Sequence, residues 1–91
     1  MNYTDSLVRA LQRTCELLEQ SEEVAWSPLT PEKVREKLLK VLKRVSAGRR
    51  FSKTSLAVEF APTGTLQEIA MANGWHEEYM SLADVVDRHS T

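Results

Sequence analysis

The chain has 91 residues, 42% of them apolar and 27% charged, with three glycines, three prolines and one cysteine. That is enough for one domain with a modest core, and it excludes a disordered tract, a disulfide scaffold and a cysteine-only zinc site. The net charge of −1 hides a pattern: residues 1–32 carry −4, residues 33–53 carry +8 and residues 54–91 carry −5.

The N-terminal Met1-Asn2-Tyr3-Thr4-Asp5 lacks the basic-then-apolar pattern of a signal peptide, and no apolar run approaches membrane-spanning length. A cytoplasmic protein with no membrane partner is expected. The first helix is expected near 5–22, capped by Thr4 or Asp5. Leu7, Val8, Leu11, Cys15 and Leu18 form its apolar stripe. Cys15 on that stripe reads as a small buried hydrophobe rather than a nucleophile, since a reactive thiol needs exposure and an electropositive setting. Trp26 in the following connection is expected to fold back onto the core.

The second helix, near 31–47, has the clearest start. Thr30 is the cap, Pro31 takes the first helical position, and Leu29 with Val34 is spaced as a hydrophobic staple. Val34, Leu38, Val41, Leu42 and Val45 form its apolar face, the opposite face is almost wholly Lys and Arg, and Gly48 is the stop. Over 51–61 the alternation of Leu56, Val58 and Phe60 suits a strand, but no second strand is present to pair with it. A short helix over 52–60 is therefore expected, capped by Ser52 with Phe51 stapled to Leu56 and ended by Pro62.

Thr65-Leu66-Gln67-Glu68 reads as a capping box opening a helix over 65–73. Asn73-Gly74 ends it, and Trp75 packs back on Ile69 or Ala70. A last helix over 77–88 carries Glu77 and Glu78 in its first turn and Tyr79, Leu82, Ala83, Val85 and Val86 as apolar positions, with His89 in a terminal tail. The expected fold is all-α: a single domain of four main helices plus a short fifth, with successive helices packed antiparallel.

Chemistry-bearing residues are sparse. His76 and His89 form no helical His-x-x-x-His pair, and His76 beside Glu77, Glu78 and Met80 reads as a helix-start histidine before it reads as a metal ligand. The carboxylates Glu22-Glu23, Glu77-Glu78 and Asp84 with Asp87 read as solvated, with Asp84 placed to pair with Arg88. Gly64 precedes a helix, but a phosphate loop needs more glycine and a lysine. Residues 66–83 copy a helix-turn-helix faintly. Its second helix would present Glu77, Glu78 and Asp84 to phosphate, which argues against DNA reading. No catalytic constellation, cofactor site or metal site is expected.

The basic stretch is the remaining signal. Its candidate contact residues are Lys33, Lys37, Lys40, Lys43, Arg44, Arg49, Arg50 and Lys53. Nucleic acid would use them on phosphates, but only Phe51 is near for base stacking, so a protein partner or neutralisation by the acidic flanks ranks ahead. The segments Thr63-Gly64-Thr65-Leu66-Gln67-Glu68-Ile69 and Asn73-Gly74-Trp75, about the last third of the chain, resemble small bacterial helical families of uncharacterised function. That resemblance implies a partner-binding or toxin-neutralising, immunity-like role. The overall expectation is a non-catalytic protein–protein interaction domain, with a homodimer among its arrangements.

Overall fold

A computed structural model describes residues 3–22, 30–60 and 64–90. They form five α-helices and no strand: α1 (Tyr3–Glu19), α2 (Pro31–Ser46), α3 (Lys53–Glu59), α4 (Thr65–Ala72) and α5 (His76–Ser90). The all-α expectation, with four main helices and a short fifth, is what the chain adopts. Trp26, Leu29 and Pro62, and the expectations resting on them, lie outside the described residues.

Local chemistry places the boundaries. The Thr30 hydroxyl accepts the Lys33 N–H at 3.2 Å, and Pro31 opens α2 without forfeiting a helical bond. Gly48, at φ +71°, closes α2. Its N–H donates to Val45 O at 3.1 Å, and the Arg49 N–H donates to Arg44 O at 2.8 Å, the paired bonds of a Schellman stop. In α3, Ser52 Oγ accepts the Ser55 N–H at 3.1 Å, while half-buried Phe51 and buried Leu56 pack into the same core. The Ser52 cap, with no strand among the described residues to pair with, favours a helix over 53–59 despite its alternating apolar residues.

Several boundaries differ from expectation. α1 already begins at Tyr3, so Thr4 and Asp5 are helical rather than caps. Asp5 instead sits in the first turn, at the positive end of the helix dipole. α1 stops at Glu19 because Ser21 turns away: its N–H donates to Leu18 O at 3.1 Å and its hydroxyl to Leu17 O at 2.7 Å. At α4 the cap is Gly64, with extended backbone, and no side chain caps the helix. Thr65 is the first helical residue, which leaves Glu68 one position beyond a capping box.

Each helix contributes one face to a single core. Leu7, Leu11 and Leu18 from α1 meet Val34 and Leu38 from α2, Phe60 at the end of α3, Leu66 and Ile69 from α4, and Leu82 and Val86 from α5. The helix pairs α1–α2 and α1–α5 form its main seams. Cys15 is 6% exposed on that α1 face, in the role expected for it. α5 runs past the expected 88 to Ser90 because Tyr79, Leu82, Val86 and His89 recur at three and four residues and all four are buried.

Candidate functional site

The turn between α4 and α5 carries two side chains, Asn73 and Trp75, that bond to the chain leaving α1. Gly74 at φ +79° brings the Trp75 N–H back to Ala70 O at 2.9 Å. The Trp75 ring is 8% exposed, and its indole N–H donates to Ser21 Oγ at 2.9 Å. Asn73 clasps the chain leaving α1. Its Oδ1 accepts the Glu22 N–H at 2.9 Å, and its Nδ2 donates to Glu22 O at 3.2 Å and Ile69 O at 3.0 Å. Asn73-Gly74-Trp75 is thus a fastening between distant segments, in addition to a helix stop.

Along α5, the Tyr79 hydroxyl donates to Phe60 O at 2.7 Å, tying α5 to the end of α3, and burial raises its pKa. Arg13 grips Glu78 with two bonds, Nε to Oε2 at 2.5 Å and Nη2 to Oε1 at 3.0 Å. The guanidinium's hydrogen bonds hold the Glu78 carboxyl below its usual range.

The thiol, the histidines and the paired carboxylates are dispersed among separate roles. Cys15 is buried, and burial raises its thiol pKa against a smaller opposing effect of Arg35, the reverse of what activates a nucleophile. His76 opens α5 with its ring stacked on Tyr79, centroids 5.9 Å apart. His89 is not in a tail. It is buried in the last turn of α5, and burial, followed by the nearby Lys53 charge, lowers its pKa. Asp84 accepts from Arg88 at 2.8 Å, as its spacing implied. Glu22 is exposed, and Glu23 lies outside the described residues. No group of three or more His, Cys, Asp or Glu side chains among the described residues is arranged to hold a metal ion.

The α2 face is built differently. Lys33, Lys37, Lys40, Lys43, Arg44, Arg49, Arg50 and Lys53 are all exposed. Lys37 reaches Glu59 at 3.4 Å, and the other seven make no ion pair among the described residues. Arg35, half-buried and 4.0 Å from Glu19, is the other α2 cation with a carboxylate partner. Among the described residues, direct ion pairing with the acidic flanks therefore reaches little of this face. Lys33, Lys37, Lys40 and Arg44 stand at helical spacings of four, three and four, where like charges oppose one another by a few tenths of a kcal/mol (~0.2–0.5) per pair. Lys33 also lies in the first turn, at the end of the dipole that disfavours a cation. Lys43 and Arg44 near the other end are favoured by it.

Beside these cations runs a groove of about 480 Å³ between α2 and α3. Buried Leu38 and Leu56 lie under it with half-buried Val41, while Val58, 64% exposed, stands at its edge with Lys37, Lys40 and Glu59. The sequence pattern puts Val41 on the core stripe and Val58 among the alternating apolar residues of 51–61. In the fold α3 packs chiefly on α5 and does not close over α2, which leaves Val41 half-buried and Val58 exposed along the groove. A second hollow of about 380 Å³, lined by Lys40, Lys43, Arg44, Ala47 and Arg49, continues from the groove through Lys40.

The geometry defines a five-helix all-α domain whose fastenings cluster at one corner and whose cations gather along one face. No family model matches the chain, and neither the curated proteins nor the solved structures yield a match. No helix among the described residues is long and apolar enough to cross a membrane.

Proposed function

We propose that this chain is a non-catalytic protein–protein interaction domain that presents the α2 basic face, with the adjoining α2–α3 groove, to an acidic protein surface. The single observation that carries the reading is the set of exposed cations beside an apolar groove: seven of the eight make no ion pair among the described residues. Like charges in helical register cost stability, so a fold indifferent to them gains nothing by keeping them. A groove floored by Leu38 and Leu56 suits apolar side chains of a protein. Nucleic acid would use the same cations on its phosphates, but single strands also stack their bases on aromatic side chains, and the basic segment holds Phe51 alone, half-buried against the core.

The test is crosslinking of the full chain in its native cells, beside the variant Lys37→Glu with Lys40→Glu. A discrete protein partner crosslinks to the wild type and is lost in the variant. Micromolar or tighter binding of duplex or single-stranded nucleic acid at about 150 mM salt, abolished by the same reversal, would overturn the reading.

A further inference from the structure

Two of the large apolar side chains most open to solvent sit amid opposite charges. Val58 edges the α2–α3 groove beside Lys37 and Lys40, with Glu59 in the same lining 3.4 Å from Lys37. Met80, 58% exposed, lies on α5 with Glu77 three residues before it, Asp84 four after and Asp87 seven after. Those spacings put Met80 and the three carboxylates within one helical face, and all three carboxylates are exposed. Glu77 and Asp87 make no ion pair among the described residues, and Asp84 has Arg88 alone as an exposed partner. Met80, Asp84 and Asp87 also border a shallow hollow of about 320 Å³. The chain thus carries both halves of a complementary pair: a basic groove edged by an apolar residue and an acidic helix face centred on one.

We propose that the acidic face of α5 on one copy docks in the basic α2–α3 groove of a second copy. This rests on the reading of the α2 face as a protein-contact surface and names its partner as the chain itself. Met80 enters the groove beside Val58 over Leu38 and Leu56, while Asp84, Asp87 and Glu77 meet Lys37 and Lys40. An amphipathic helix laid in an apolar groove is a recurring mode of recognition, and flanking charges set its orientation. A net charge of −1 puts little overall repulsion between copies. The contact is closed if both surfaces engage between the same two copies, and it propagates otherwise. Its small area makes it weak and dependent on concentration.

Sedimentation velocity of the full chain, from about 10 µM to about 1 mM at low and high salt, tests the docking. The mean mass is expected to rise with concentration at low salt and to fall back at high salt. Lys37→Glu with Lys40→Glu, and separately Asp84→Lys with Asp87→Lys, each weaken association by about tenfold or more. Mixing the two variants restores it, because each reversed surface then faces its opposite. That rescue cannot come from misfolded protein, and circular dichroism of each variant checks its helix content. A monomer at every concentration, association indifferent to both reversals, or a mixture that fails to recover would overturn the second copy as occupant. The contact reading of α2 fails separately, when reversal of Lys37 and Lys40 leaves the crosslinked partners unchanged.

Discussion

The α4–α5 corner and the α2 face spend their polar side chains in opposite ways. At the corner, Asn73, Trp75 and Tyr79 each bond to a residue of another element, and Arg13 reaches Glu78 across from α1. On and after α2 the charges are exposed, and among the described residues Lys37 alone of the eight candidate cations finds a carboxylate. One region is polar for the sake of closure. The other is polar with no described use inside the molecule, and it borders the largest of the described grooves. In a domain this small, a charged helix face left out of the fold is the place to seek a partner.

The sharpest way to break the comparison is to remove a fastening. Trp75→Ala is expected to cost roughly 3–5 kcal/mol, since it empties a buried ring and removes the indole bond to Ser21, whose hydroxyl keeps its own bond to Leu17 O. Urea denaturation reads this directly, and wild-type stability in that variant would show the corner to be incidental. Tyr79→Phe is smaller. It leaves the buried Phe60 carbonyl without the hydroxyl and is expected to cost about 1–2 kcal/mol in the same measurement.

Much of the fold was legible in the chain. Thr30-Pro31, Ser52 and Gly48 have local signatures, and the structure keeps all three in their expected roles. The length of α5 was also readable, because Tyr79, Leu82, Val86 and His89 continue one face, but a terminal histidine does not look apolar. The Asn73 clasp and the Tyr79–Phe60 bond were not readable. Each joins residues distant in sequence, and no local pattern encodes the meeting. Thr65 illustrates a different failure: a capping box and a helix starting one residue earlier share the same letters, and Gly64 takes the cap. Of the surface, the cations were read from composition, whereas the groove depends on how far α3 reaches across α2.

His89 offers a pH handle on the core end of α5. Burial lowers its pKa, so the folded chain resists the proton that the unfolded chain accepts at the ordinary 6.5. Stability is therefore full above that value and declines as pH falls below it. Glu78, also lowered in the fold, contributes a loss only as pH falls below the ordinary 4.5. Unfolding measured at about pH 7.5 and about pH 5.5 separates the two. The wild type is expected to lose stability across that interval, and His89→Gln to lose less.

The smallest expected effect is the most telling, because the account rests on the fold having no use for the charges of the α2 face. Lys33→Gln, Lys40→Gln and Arg50→Gln combined remove three exposed cations that are in no described ion pair while keeping long side chains in place. Chemical denaturation of that triple variant at low salt is expected to give an unfolding free energy within about 0.5 kcal/mol of wild type, or above it as like-charge repulsion is relieved. A loss of more than about 2 kcal/mol would contradict the account, because it would place those charges among the forces that hold the domain together.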